Sequence, residues 1–249
     1  MEGLLFVDKP VNWTSFDVVK YVRGVVSRAS GTPNRRVKVG HSGTLDPFAT
    51  GLIILMVGKN YTSQAEHFLK LDKSYKTTME LGKVSSTGDP EGELTESNVN
   101  GLRPTQIEVE AVLKTFEGLS KQTPPSFSAI KVDGVRAYKL ARQNLPVKLN
   151  PREINIRSIE LISYDFPLIE IITHVSSGTY IRTLVEDIGS ALKTGAYTKK
   201  LRRLSIDSYS IDQAKTIEAI TEQTIASMLE NKLSNWINIY CKNGLDLID

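Results

Sequence analysis

The sequence predicts an α+β fold, a mixed and largely antiparallel sheet flanked by helices. Three observations predict it. Short apolar runs or period-two alternation recur at 3–7, 51–58, 75–81, 154–163 and 168–174, and read as strands. Apolar residues at helical spacing follow Thr14, Thr105 and Gly178. The two patterns do not alternate strictly, which argues against a doubly wound parallel sheet.

Each element has its own signal. Residues 3–7 are apolar and end at the turn Asp8-Lys9-Pro10. Thr14 with Asp17 three residues on is a capping-box pair, and Val18, Val19, Val22, Val25 and Val26 form the buried stripe of the helix that follows. A polar loop is expected over 27–38 and a buried strand over 51–58. Tyr75, Thr77, Met79 and Leu81 alternate with Lys76, Thr78 and Glu80, the pattern of a half-buried strand. Gly, Ser, Thr and acids make 85–96 a loop. Thr105 and Glu108 cap a helix reaching toward Gly118, and Pro124-Pro125 breaks the chain. Ile181, Leu184, Val185, Ile188 and Leu192 mark an amphipathic helix, 196–206 is extended, and 217–230 reads as a helix. The chain holds no internal repeat.

Composition limits the function classes. The 249 residues, 40% hydrophobic and 24% charged, suffice for one large domain with a small appendage. A net charge of +3 permits a nucleic-acid partner without requiring one. The single cysteine, Cys241, forbids an intrachain disulfide, and His41, His67 and His174 lie too far apart for metal-ligand spacing. The N-terminus lacks the pattern of a signal peptide, and no apolar run is long enough to span a bilayer. A cytoplasmic protein without metal or membrane attachment is expected.

The stretch GHSGTLDPFATG at 40–51 is the most informative. Its glycines, proline and small polar residues specify a tight loop ahead of a buried strand, with Asp46 held extended by Pro47. Such a platform suits a reactive group, although Asp before Pro is ordinarily a turn residue. Two basic stretches, 28–38 and 193–203, are candidates for phosphate contact or plain solvated faces.

The 40–51 stretch resembles the GH(T/S)G(T/A)LDPxATG motif of the TruB family of pseudouridine synthases. Further motifs of that family have counterparts in the same order. They are GLLFVDKP at 3–10, KSY at 73–75, QTPPSFSAIK at 122–131, YKLAR at 138–142, GTYIR at 178–182 and LRRL at 201–204. The resemblance covers residues 3 to about 212. It implies a pseudouridine synthase domain over 1–212, followed by a short segment, 213–249, standing where longer members carry an RNA-binding PUA domain. It implies isomerisation of uridine-55 in the T loop of tRNA, without a cofactor, by a monomer that binds the T stem-loop. By the same resemblance Asp46 is the catalytic carboxylate, Arg182 its guanidinium partner and Tyr75 the ring stacked on the target base. Tyr180 lines the pocket and Leu204 packs on the flipped base. His41 fills the space the uridine leaves, or hydrogen-bonds within its own loop. Lys9 supports the fold or contacts phosphate, and Lys199 and Arg202 face the RNA backbone. A non-catalytic RNA-binding protein on the same scaffold, or a synthase of a guide-RNA particle, are the competing expectations.

Overall fold

The computed structural model describes residues 1–31, 37–97, 102–128, 130–132, 134–143 and 145–230. Arg35, Arg36, Cys241 and the end of the C-terminal segment, for which expectations were stated, lie outside the described residues. The first elements are β1 (Gly3–Lys9), α1 (Ser15–Ala29), β2 (Val39–His41), β3 (Thr50–Val57), α2 (Lys59–Thr62) and α3 (Ala65–Lys70). There follow β4 (Lys73–Leu81), β5 (Lys83–Ser85), β6 (Leu94–Glu96), α4 (Gln106–Thr115), β7 (Gly118–Gln122), β8 (Lys131–Val132), β9 (Val135–Arg136) and α5 (Ala137–Ala141). Last come β10 (Arg152–Asp165), β11 (Leu168–Val175), α6 (Ile181–Ala191), β12 (Ala196–Ile206), β13 (Tyr209–Ser210) and α7 (Ile225–Met228). The chain forms two compact units, one of residues 1–69 with those from 208 onward, the other of residues 70–207.

In the first unit β3 pairs antiparallel with both β1 and β2, Phe6 facing Ile54 and Gly40 facing Met56. The expected capping box starts α1: the Thr14 hydroxyl accepts from the Asp17 N–H at 3.1 Å, and the Asp17 carboxylate accepts from the Thr14 N–H at 2.9 Å. The five valines of the helix are buried against Leu5, Val7, Ile53, Leu55 and Val57. Each β-branched residue costs the helix about half a kcal/mol, while burying each valine returns roughly 1.5–3 kcal/mol. Packing therefore outweighs propensity. On the opposite face of β1, Phe6 lies 5.3 Å from the Tyr209 ring, which lies 6.0 Å from Phe68.

The C-terminal strap corrects one expectation. Residues 217–230 are not one helix; only Ile225–Met228 is helical and the rest forms turns. Two causes are visible. Thr221 and Thr224 cross-bond, each side chain accepting from the other's backbone N–H, at 3.3 and 2.9 Å, and so compete with helical bonding. The strap is also pinned to β1 at both ends, by Lys215 to Phe6 and Asp8 and by Glu230 to Leu4. Ile217, Ile220 and Ile225 enter the valine core between those pins.

The second unit is an antiparallel sheet in the order β12-β4-β11-β10-β7. Helix α4 starts at the Thr105–Glu108 capping box, ends at Thr115 and lies against β10; α6 lies against β12. The expected loop 85–96 is the turn of a hairpin, β5 pairing with β6. Strand β4 is not half-buried as its alternation implied: every residue but Lys76 is buried. The polar face survives burial because its groups pair. Glu80 accepts from Lys199 at 2.7 Å and from the Tyr197 hydroxyl at 3.0 Å, with Lys83 at 3.1 Å. Burial opposes the charge on Glu80, yet these donors hold its carboxyl below the usual range, whereas burial and then Glu80 push the Tyr197 hydroxyl up to about 12.

Helix α6 meets β12 at Gly189, whose carbonyl accepts from the N–H groups of Thr194 and Gly195, each at 3.0 Å. A β-carbon there would stand 2.4 Å from the Ala196 nitrogen, a backbone atom with no freedom to yield. Gly189→Ala is expected to lower unfolding free energy by about 1–3 kcal/mol through overpacking, despite alanine's higher helix propensity. Urea denaturation checks it; a stabilised variant would show that this contact relaxes.

Candidate functional site

The loop carrying Asp46 joins β2 to β3 and is held at several points. Ser42 is fully buried; its N–H donates to the Ile54 carbonyl at 3.0 Å and its Oγ accepts from the Ile54 N–H at 3.1 Å. Ser15 of α1 grips Leu45 in the same way, accepting from its N–H at 2.8 Å and donating to its carbonyl at 3.1 Å. The Ala49 N–H donates to the Asp46 carbonyl at 3.1 Å, closing a four-residue turn with Pro47 in second place. Asp46 itself remains half-buried. The backbone is thus fixed from both sides at a residue that is only half-buried.

Lys9 completes the brace. It is 0% exposed, and its Nζ donates to the carbonyls of Trp13 at 2.6 Å, Pro10 at 3.0 Å and Pro47 at 3.3 Å. The Asn12 N–H, in a residue at φ 66°, donates to the Pro47 carbonyl at 2.8 Å. Three carbonyls surround the buried ammonium, an arrangement that fits the expectation that Lys9 supports the fold. His41 is half-buried, and its Nδ1 accepts from the Gly43 N–H at 3.2 Å. That bond leaves the proton of the neutral ring on Nε2.

The second unit assembles the other motif residues. Tyr75, 8% exposed, sits on β4 between Thr173 and Arg203, on the face it shares with Thr77 and Met79. Arg202 is directed to the opposite face, across from Lys76, which pairs with Glu170 at 3.1 Å. Strand β12 changes register twice, between Thr198 and Lys200 and between Arg203 and Ser205. Lys199 and Leu204 are therefore the extra residues of two β-bulges, the device by which a strand re-aims a side chain. Lys199 is the residue whose ammonium binds Glu80, so the expected phosphate contact competes with a salt bridge already formed. Arg28, in the other basic stretch, is likewise engaged, its Nε lying 2.5 Å from Glu222.

Arg182 is 5% exposed in the first turn of α6. Its Nη1 donates to the Thr87 carbonyl at 2.8 Å and to Asp89 Oδ2 at 3.0 Å, and its Nη2 donates to the Phe127 carbonyl at 2.8 Å. Thr87 in turn donates its hydroxyl to the other Asp89 oxygen at 2.6 Å. Gly88, at φ 75°, lets this loop approach α6: a β-carbon would stand 2.7 Å from Glu186 Oε1. Burial pushes the Glu186 carboxyl up, with Arg182 pulling the other way. Tyr180 is fixed through its backbone. Gln122 accepts from the Tyr180 N–H at 2.8 Å and donates to its carbonyl at 3.0 Å.

Asp89 and Gln122 are the residues that sequence reasoning did not single out. Asp89 stands in a Gly-Asp-Pro turn, 93 residues from Arg182, and nothing local distinguishes it from a turn aspartate. Gln122 opens a motif, but its partner is backbone, which no side-chain pattern reveals. Among the described residues no group of three or more His, Cys, Asp or Glu could hold a metal. Among those residues, too, no helix is long and apolar enough to cross a membrane.

Comparisons with known proteins agree with the motifs. Residues 32–181 match the model of the TruB family pseudouridylate synthase N-terminal domain, and residues 182–238 that of the tRNA pseudouridylate synthase B C-terminal domain. The chain is 40% identical over 220 residues to the tRNA pseudouridine synthase B of Opitutus terrae, covering 88% of this chain and 87% of that protein. It is 40% identical over 236 residues to that of Parabacteroides distasonis, covering 92% and 97%. A solved Cbf5-Nop10-Gar1 complex contains a chain of the same fold, with a TM-score of 0.64 and 23% identity. The match covers 98% of this chain and 57% of that one.

The buried pair generates a stability prediction. Asp89→Asn keeps the shape but removes the carboxylate that Arg182 Nη1 meets in this unit. The expected loss is about 1–3 kcal/mol, the worth of one hydrogen bond between charged groups. A loss below about 1 kcal/mol in urea denaturation would show that the carbonyls alone hold Arg182.

Proposed function

The chain belongs to the TruB family of pseudouridine synthases, and on that premise we propose that it converts uridine-55 in the T loop of tRNA to pseudouridine with Asp46 as catalytic carboxylate. It is an isomerase. The observation that carries the assignment of Asp46 is its mounting: backbone fixed by Ser15, Ser42 and Lys9, carboxylate half-buried at the end of the loop. A reacting anion has to be positioned before the reaction, and this loop does that positioning without covering the group.

The reaction breaks the C1′–N1 bond, turns the base and joins C1′ to C5. The C5 proton leaves and N1 gains one, so no redox partner or group donor enters the balance. Asp46 attacks C1′, adds to C6, or takes a sugar proton on the way to a glycal; each route uses an anion at that place. In this reading Arg182 orients the Asp46 carboxylate, and Tyr75 stacks on the base and relays the C5 proton. Tyr180 lines the pocket and Leu204 closes over the extruded uracil. His41, its Nδ1 tied back to Gly43, presents a ring edge able to occupy the place the uridine vacates. Arg202 faces the RNA backbone, and Lys199 joins it only by exchanging Glu80 for phosphate.

Asp46→Asn tests the assignment. The amide keeps the shape and loses the charge, so pseudouridine formation on an unmodified tRNA transcript is expected to fall by at least about 10³-fold, worth roughly 4 kcal/mol of barrier, with tRNA affinity within a few-fold of the parent. Near-normal product, read by chemical mapping of pseudouridine, would remove Asp46 from the mechanism.

The footprint on tRNA is the second test. Recognition is proposed to centre on the T stem-loop, the part of the tRNA that holds the target uridine. A T-arm hairpin is expected to react with kcat/KM within about tenfold of whole tRNA, a difference of roughly 1.4 kcal/mol. A much larger deficit would place essential contacts elsewhere on the tRNA.

A further inference from the structure

One cavity of the first unit belongs to none of the roles above. It measures about 560 Å³ and is lined by Arg23, Val37, Lys38, Val39, Gly40 and Thr62. Arg23 projects from the middle of α1, and its Nε is buried without a hydrogen-bond partner among the described residues. Lys38 precedes β2 and is exposed. No acidic side chain is among the described lining residues. The contrast within the same helix is informative: Arg28 is matched by Glu222, and Asp17 engages the Thr14 cap. A buried guanidinium nitrogen left without an acceptor is costly, and a second cation, the exposed Lys38, lines the same cavity. An arrangement of that kind is relieved by an anion.

We infer that this cavity is a phosphodiester seat for the RNA substrate, taking one backbone phosphate between Arg23 and Lys38, with the attached sugar against Val37, Val39 and the Thr62 methyl. The inference rests on the tRNA reading above and deepens it. Size agrees, since the volume exceeds a bare phosphate and admits a nucleotide unit. Placement agrees as well: Gly40 lines the cavity and His41 is the next residue on the same short strand. A phosphate held here fixes the backbone one residue along the chain from the ring proposed to enter the base stack. Phosphate contacts set register in this way while base contacts carry selectivity.

The test measures binding of a T-arm hairpin RNA at several salt concentrations. For Arg23→Gln with Lys38→Gln, Kd is expected to rise about tenfold at physiological salt. The slope of log K against log salt is expected to shrink by about 0.9, the loss of one neutralised phosphate. Lys20→Gln, which removes one charge from the exposed side of the same helix, is expected to change the slope by much less. Lys38→Gln alone, an exposed substitution, reads the same slope if the double variant is unstable by circular dichroism. A walk of single methylphosphonates along the hairpin is expected to find one position that weakens the parent protein and weakens the double variant no further. An unchanged slope, an equal effect from Lys20→Gln, or the absence of such a position overturns the proposal. Failure of the parent protein to form pseudouridine would instead overturn the substrate assignment, since the binding measurements do not depend on turnover.

Discussion

A cation taken out of water needs its hydrogen bonds replaced, and much of this protein is organised around that requirement. Lys9 is fully buried and meets three carbonyls; Arg182 is nearly so and meets a carboxylate and two carbonyls. In each case the acceptors belong to loops that have no regular secondary structure to hold them. The loops at Pro10–Trp13 and Pro47 would otherwise have fewer ties, and the turns at Thr87 and Phe127 would have little reason to converge. The ammonium and the guanidinium act as the centres on which those loops close. Because the Pro47 carbonyl is among the acceptors of Lys9, the brace extends to the residue that follows Asp46.

Around these centres the secondary structure supplies rigidity. The valine face of α1 backs β1 and β3, and Ser15 at its start reaches Leu45. A single helix thus both buries the core of the first unit and positions the loop. In the second unit the flanking strands of β4 leave it almost no solvent, and its charged residues are held in pairs: Glu80 with Lys199, and Lys76, beside Thr78, with Glu170. Pairing of this kind fixes the strand that carries Tyr75.

The bulges of β12 show how a regular sheet accommodates an irregular task. Without the insertion at Leu204, alternation would commit each residue from 201 to 206 to one face or the other. The extra residue breaks that commitment where LRRL needs it. The same logic sets Lys199 outside the ladder, where its ammonium reaches Glu80.

The helices starting after Thr14 and Thr105, the strands β1, β3, β10 and β11 and the extended stretch before Ile206 were legible in the sequence. Their signals, caps and periodicity, act over a few residues. The family was legible for a related reason, since ordered motifs are local strings. What was not legible depended on partners far away in the chain. Strand β4 read as half-buried because alternation reports side-chain polarity and not what covers it. Residues 217–230 read as a helix because the isoleucine spacing suits one, while the pins to β1 and the threonine pair impose turns. Lys9 was open between phosphate and fold until three carbonyls closed on it. By itself the sequence determined the elements, their order and the family, because those follow from short-range preference and local motif. Only the tertiary structure decided that Asp89 holds Arg182, that three carbonyls surround Lys9 and that Arg23 faces a cavity with no acid among its described lining residues, because burial and charge pairing are set by residues that meet only when the chain is folded.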